Sequence, residues 1–433
     1  MKTLGLDIGT TTISAVVRDD NLGVLESSTV KNDSILPGNS FEQLQDPDVI
    51  FSRAMEIVNS LISLHPDLRA IGLTGQMHGI LYLDASGNPV SPLYTWQDGR
   101  GDLPYDDCRS WAEHLTDLTG YSVYTGYGLV THAYNLHHGL VPENATCLCT
   151  IHDYIAMKLS GRNRPLTDPT DAASLGFYNC LGRQFDKAAL HKAGIDPSLL
   201  PELADDPCLG AGPLGLPVLA GIGDNQASFL GAAEGRTDVL LLNIGTGSQI
   251  SIHSPHYLQT EALETRPCPD GGWLLVGASL CGGRSYALLE EFFRRTVQMV
   301  TGSDKSVYDA MSRLLDESGA ITDYPAITPL FQGTRKNPGL RGSITGLTAD
   351  NFTPAHFIHG IMHGMAAELY EMYRSYLDLG GIAPSAMIGS GNGLRRNPHL
   401  CRIMEETFGC PLILSKNQEE AACGAAIFAA NHC

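Results

Sequence analysis

Positive charge is scarce in this chain of 433 residues: 28 Lys and Arg stand against 47 Asp and Glu, a formal charge of −19. Such a balance repels a phosphate backbone, so nucleic acid is not an expected partner. Long apolar runs are missing as well. None approaches the roughly 20 residues that span a bilayer, and MKTLGLDIGTTT at the start passes straight into an alternating strand without a signal-peptide core. The expectation is a cytoplasmic protein with no membrane partner. No C-x-x-C occurs; the closest cysteines, Cys147 and Cys149, form C-x-C, and the 11 cysteines read as reduced thiols, mostly in the core. There is no G-x-x-x-x-G-K-[ST], so any nucleotide is held by something other than a P-loop. GAGPLG at 210–215 matches a dinucleotide fingerprint in letters only, because Pro213 and Pro217 stand where a helix must open.

What is present is a core-forming composition, 43% hydrophobic with 47 Gly, enough for two or three domains. Internal similarity then decides the architecture. LGLDIGTTTISA at 4–15 and LLNIGTGSQISI at 241–252 share an apolar strand, Asp7 or Asn243, an Ile-Gly-Thr turn and a second strand. Glycine at such a turn lets backbone approach a ligand, and Thr10, Thr11, Thr12, Thr246 and Ser248 can donate to phosphate oxygens. The pattern fits two facing phosphate hairpins in two related domains, or two ordinary hairpins that share turn chemistry. Between them, helical spacing at Val49, Ile50, Met55, Val58, Leu61 and Ile62 alternates with a short strand at 68–73, and the second half repeats the style, with helices at 287–300, 354–376 and 419–430 and a strand at 386–388. The Gly- and Pro-rich stretch 209–218 approaches a boundary near residue 222. Expected domains are 1–222 and 223–433.

GIGDNQAS at 221–228 carries the chemistry. Asp224 follows the strand PVLAGI and opens a helix, a position that suits either an N-cap or a carboxylate facing a crevice. With two phosphate hairpins and a second acid, Asp7, suited to hydrated magnesium, the set matches what phosphoryl transfer needs. His356, His359 and His363 share a helix face, but no nearby carboxylate or cysteine completes a metal site, and packing or solvated histidines are expected.

Taken together, DIGTTTISA, GIGDNQAS, NIGTGSQIS, and GSGNGLRRNP followed by EEAACGAAIFA resemble, in order, the motifs of the FGGY carbohydrate kinases. The resemblance implies an α/β fold of two actin/Hsp70-like (ribonuclease H-like) ATPase domains with a catalytic cleft between them. It implies ATP and Mg2+ as cofactors, Asp224 as catalytic base, and Asp7 placing the metal through water. Gly9, Thr10, Thr11, Thr12, Gly245, Thr246, Gly247 and Ser248 would hold the phosphates, and Gly389, Ser390, Gly391 and Asn392 would lie against adenosine. Ser390 and Asn392 depart from the Gly-Gly-Gly frequent in the family.

GQMHG resembles the sugar-contacting segment of the family's xylulokinases, while TWQDGR with GDNQAS, the LNIGTGSQIS hairpin and the GSGNGLRRN loop look closest to its sedoheptulokinases, which implies a ketose acceptor phosphorylated at a terminal primary hydroxyl. Polyols need dense donors and acceptors, and Gln76, His78, Gln97, Asp98 and Arg100 supply both, with Trp96 for an apolar sugar face. Met77, Asn225 and Gln226 complete the expected sugar contacts. Asp153, Asp168, Asp171 and Arg284 are near-site candidates. A buried tryptophan, an Asp98–Arg100 turn pair and a core-satisfied His78 explain the same residues structurally. Sugar and ATP are the expected partners, a homodimer is the assembly left open, and a non-catalytic nucleotide switch of the same fold is the alternative from another class.

Overall fold

The computed structural model describes residues 1–319, 321–334, 337 and 339–433, and the chain divides into two compact units. Unit 1 holds Met1–Gly235, Arg266–Gly271 and Asn417–Cys433; unit 2 holds Arg236–Thr265 and Gly272–Lys416. The division falls after Gly235 rather than after residue 222. A cut after 222 would pass through the strand Ile222–Gly223 that leads into the next helix.

Unit 1 is built on β1 (Lys2–Ile8), β2 (Thr12–Asp19) and β3 (Gly23–Lys31), an antiparallel meander. Helix α1 (Pro47–Leu64) follows. Asp46 accepts from the amides of Asp48 and Val49 at its start, and Ile50, Ala54, Ile57, Val58 and Leu61 form its buried face. Strand β4 (Ala70–Gly75) then runs parallel to β1. Helices α2 (Ile151–Leu159) and α3 (Pro169–Leu175) precede β5 (Cys208–Ala211), β6 (Pro217–Leu219), β7 (Ile222–Gly223) and α4 (Asp224–Ala233). The sheet order is β5-β6-β4-β1-β2-β3, with β7 also paired to β4. GAGPLG is the end of β5, through Ala211, and the turn that leads to β6, with no helix opening where the prolines stand.

The C-terminal helix, Glu420–Asn431, lies directly on this sheet. Small residues make the approach close. A Cβ on Gly5 would stand 1.8 Å from the Ala422 carbonyl oxygen, and one on Gly72 1.9 Å from that of Ala425. Leu4, Leu6, Ile8, Ile13, Ile71 and Leu73 are fully buried in the core of this unit.

Unit 2 repeats the plan. Strands β8 (Val239–Ile244), β9 (Ser248–Ser254) and β10 (Trp273–Ser279) are again an antiparallel meander. Helices α5 (Gly282–Thr301), α6 (Tyr308–Ser318) and α7 (Pro354–Asp378) lead to β11 (Ala386–Ser390), which pairs parallel to β8 as β4 pairs to β1. Helix α8 (Pro398–Phe408) and β12 (Leu412–Leu414) complete the unit around its own core of Leu240, Leu242, Ile250, Met362, Met365 and Leu369. The repeat seen in the sequence is therefore a repeat of topology.

All 11 cysteines are free, and only Cys147, Cys149, Cys281 and Cys423 are buried, so fewer serve the core than expected. Among the described residues no helix is long and apolar enough to cross a membrane.

Candidate active site

In unit 1 the parallel strands β1, β4 and β7 bring their carboxyl ends together: Ile8 stands opposite Gly75, and Gly75 opposite Gly223. Ligands of α/β sheets bind at such ends. Asp7 sits one residue before the end of β1, and burial, then the charges of Asp224 and Glu419, push its carboxyl up to about 7. Asp224 and Glu419 thus both act on Asp7, and the buried His152 only partly opposes them; a divalent cation would supply further positive charge.

Asp224 is the first residue of α4. The N-cap is Gly223, and no side chain caps this helix. The capping explanation of Asp224 therefore fails in its simple form. Its Oδ1 instead accepts from Asn225 Nδ2 at 2.5 Å, and that amide also lies 3.9 Å from Met77 Sδ. Asn225, expected to touch sugar, orients Asp224.

A closed circuit of hydrogen bonds lines the same end of the sheet. Thr10 Oγ1 donates to Gln76 Oε1 (3.2 Å) and accepts from Trp96 Nε1 (3.0 Å), Gln76 Nε2 donates to Gln45 Oε1 (2.8 Å), and Gln45 Nε2 returns to the Thr10 carbonyl (2.8 Å). Thr10, expected on phosphate, thus spends its hydroxyl on Gln76 and Trp96, whereas Thr11 and Thr12 are exposed. Gly9 is pinned by Asn32, whose Nδ2 donates to its carbonyl at 2.8 Å. Trp96 keeps 44% of its surface exposed, enough for a stacking face. His78 has φ +74°, its Nδ1 donates to the Ser174 carbonyl at 2.7 Å, and its ring stacks on Tyr127 at 4.4 Å. A carbonyl only accepts, so Nδ1 carries a proton and Nε2 is the ring nitrogen not used in this bond.

Three sugar candidates face elsewhere. Asp98 and Arg100 are buried against each other, with Nε to Oδ1 at 2.5 Å and Nη2 to Oδ2 at 3.2 Å. The amides of Gln43 and Arg100 take the remaining capacity of Asp98, and Arg100 also reaches Asn135 and covers the Tyr94 ring. They form the turn pair, saturated by its own contacts. Gln226 is fully buried and donates to the Pro267 carbonyl at 2.9 Å, because the third residue of α4 faces the interior.

Behind the site lies a buried polar cluster of His152, Asp153 and Asp171 whose ligand atoms fall within 4.8 Å of one another. His152 Nε2 is 3.0 Å from Asp171 Oδ2, which also accepts from Thr150 Oγ1 at 2.6 Å. Burial works against charge on His152, but Asp171, joined by Asp153 and Asp224, outweighs it and pushes the imidazole up to about 9. Asp171 is correspondingly held below its usual range, while burial pushes Asp153 well above it. The rings of His359 and His363 stack at 6.3 Å, but among the described residues the helix histidines form no metal-ligand cluster. His356 Nδ1 is 2.7 Å from Thr353 Oγ1, and His363 stacks on Tyr324 at 4.1 Å.

Unit 2 has a cavity of about 960 Å³ whose lining includes Gly245, Thr246, Gly391, Asn392, Gly393 and Arg396 together with Tyr286, Tyr308, Asp309 and Ser312. Glycine is required there. A Cβ on Gly391, φ +83°, would lie 2.4 Å from the Ile244 carbonyl oxygen, and one on Gly283 2.2 Å from that of Gly245. The start of α5 closes on the hairpin turn, since the amides of Gly283 and Arg284 donate to the carbonyls of Gly245 and Thr246. Arg284 also lines the cavity. A lining that combines bare backbone, hydroxyls and aromatic rings suits a nucleotide. Gly389 and Ser390 are corrected: they remain in β11, paired with Leu242 and Asn243, and only from Gly391 does the chain reach the cavity. Gly247 and Ser248 likewise lie off the wall, at the start of β9.

Gln45, Glu419 and the aromatic wall were not foreseen. Gln45 gave no signal because its role depends on a contact 31 positions away, and Tyr286 and Tyr308 looked like ordinary helix residues.

Residues 2–231 match a family model described as the FGGY family of carbohydrate kinases, N-terminal domain, and residues 240–433 match its C-terminal domain. A sedoheptulokinase of Homo sapiens is 30% identical over 98% of this chain and 96% of its own. A xylulose kinase of Staphylococcus xylosus is 24% identical over 99% of this chain and 90% of its own. The solved xylulose kinase from Rhodospirillum rubrum superposes with a TM-score of 0.84 at 23% identity, over 99% and 90% of the two chains.

Proposed function

We propose a function from one premise: the chain belongs to the FGGY family of carbohydrate kinases, phosphotransferases that use MgATP and an alcohol acceptor. Its acceptor, in our reading, is the ketose sedoheptulose, converted to sedoheptulose 7-phosphate. Full-length similarity to a sedoheptulokinase supports that choice. The observation that carries the chemistry is Asp224, a carboxylate at the carboxyl ends of β4 and β7 that makes no cap bond and is steered by Asn225.

In this reading Asp224 accepts a hydrogen bond from the terminal hydroxyl and takes its proton as the oxygen bonds to the γ-phosphorus, while the bond from that phosphorus to the bridging oxygen breaks and ADP leaves. Gln76 and His78 Nε2 hold the polyol, Met77 packs beside Asn225, and Trp96 covers an apolar face. Asp7, next to Glu419 and Asp224, holds hydrated magnesium. In unit 1, Gly9, Thr11 and Thr12 offer amides and hydroxyls to phosphate; in unit 2, Gly245 and Thr246 do the same within the cavity where Gly391 and Asn392 adjoin the nucleoside. When bound, ATP supplies the transferred group and magnesium offsets its charge.

D-Xylulose is the second acceptor to weigh, given the similarity to a xylulose kinase. The test is ADP release with MgATP against sedoheptulose, D-xylulose, D-ribulose, L-xylulose, D-fructose, glycerol and no sugar. Sedoheptulose should have the dominant kcat/KM. Dominance of a pentulose would move the assignment there, and equal release with and without every sugar would overturn it.

A further inference from the structure

One short helix touches both halves of the proposed sugar site. Helix α3 is seven residues long, and its N-cap Asp168 accepts from the Thr170 amide at 2.8 Å. The Thr170 hydroxyl donates to the same carboxylate oxygen at 2.5 Å, and in turn accepts the Gly223 amide at 3.1 Å. Gly223 is the residue before Asp224. Its neighbour Ile222 is tied from the other side, the Thr74 hydroxyl donating to its carbonyl at 2.8 Å. All of these groups are buried. An amide that ends on a hydroxyl already polarised by a carboxylate is held more tightly than by a neutral pair.

At its other end the same helix carries Ser174. Its hydroxyl accepts the His78 amide at 3.1 Å and donates to Asp171 Oδ1 at 3.2 Å, while its carbonyl accepts His78 Nδ1 at 2.7 Å. His78 has a left-handed backbone, a state that persists in a non-glycine residue only when its surroundings impose it. Asp171 is anchored in turn by Thr150 and His152.

We propose that Thr170 and Ser174 are positioning residues of the kinase reaction, Thr170 setting the backbone that presents Asp224 and Ser174 setting the His78 imidazole that meets the sugar. The inference rests on the reading of Asp224 as base and His78 as sugar contact. It divides the kinetics: Thr170 governs turnover, and Ser174 governs sugar affinity.

The test uses the full chain with its best ketose and MgATP, reading kcat and both KM values. Thr170→Val keeps the shape and removes the hydroxyl, and should lower kcat about 10- to 100-fold with both KM values held within about twofold. Thr170→Ser, which restores the hydroxyl, should recover kcat. Ser174→Ala should raise the sugar KM about tenfold and leave kcat and the ATP KM in place. A Ser variant as impaired as the Val variant, an unaltered kcat in Thr170→Val, or kcat and KM moving together in either series would overturn the proposal. Should Thr170→Val fail to fold, Asp168→Asn takes its place, since it removes the charge that polarises the hydroxyl. A normal kcat there overturns the proposal equally. Asp224→Asn run alongside separates the two ideas: normal turnover in that variant sinks the base assignment, whereas its loss beside a normal Thr170→Val sinks this inference alone.

Discussion

Asp224→Asn removes one negative charge and almost nothing else. The carboxylate makes no cap bond, Gly223 is the N-cap, and its one hydrogen bond in this region comes from Asn225, whose amide an asparagine carbonyl also accepts. The fold loses the attraction between an acid and a helix N-terminus, worth about 0.3–1 kcal/mol. It gains relief of the repulsion that helps hold the Asp7 carboxyl near 7. These oppose each other, so Tm should move by no more than about 4 °C. Turnover has no such compensation. Loss of a general base costs about 10²- to 10⁴-fold in kcat, or about 3–5 kcal/mol of barrier. The assay pairs ADP release with a thermal melt and an ATP titration: kcat should collapse while Tm and nucleotide affinity hold. Near-normal turnover would refute the reasoning and leave Asp224 a helix-terminus residue, and a large fall in Tm would make it structural.

Trp96→Phe keeps a stacking ring but removes the indole donor to Thr10, and should raise the sugar KM a few-fold with little change in kcat; an unchanged KM would place the sugar away from Trp96. Gly72→Ala drives a methyl to 1.9 Å from the Ala425 carbonyl and should cost about 1–3 kcal/mol or more, read as a lower urea midpoint. His152 is raised to about 9 from 6.5, so its contribution is complete below 6.5 and is lost as pH rises through 9. The urea midpoint should therefore fall between pH 6.5 and 9, and a flat profile would contradict the His152–Asp171 pair. Asp7 is raised from 3.8 to about 7, so protons and magnesium compete for it. Activity at limiting magnesium should fall as pH drops through 7, with a midpoint that moves lower when magnesium is saturating; identical midpoints would remove Asp7 from the metal site.

The paired hairpins were legible because strand alternation and an Ile-Gly-Thr turn are local features, and the fold repeats them as β1–β2 and β8–β9. Asp224 was legible for the same reason, at a strand-to-helix junction. Orientation was not. Asp98 and Arg100 have the composition of a polyol site, yet two residues apart on a tight turn they neutralise each other, and only the positions of Gln43 and Asn135 reveal how completely. Gln226 differs from Asp224 by two steps along a helix, a rotation that carries it from the sheet end into the core. The end of β11 was set two residues early because Gly389 and Ser390 look like a turn, whereas the first left-handed φ comes at Gly391. Thr170 and Ser174 could not be found from sequence at all, since their partners are separated from them by 53 and 96 positions.

The central claim is transfer of phosphate from ATP to the terminal hydroxyl of sedoheptulose, and phosphorus NMR of the full chain with MgATP and that sugar tests it most directly. The account predicts one ADP for each sugar phosphate formed, with the phosphorus coupled to the methylene protons at C7. ADP and inorganic phosphate accumulating at the same rate with and without sugar, and no ester resonance, would contradict it.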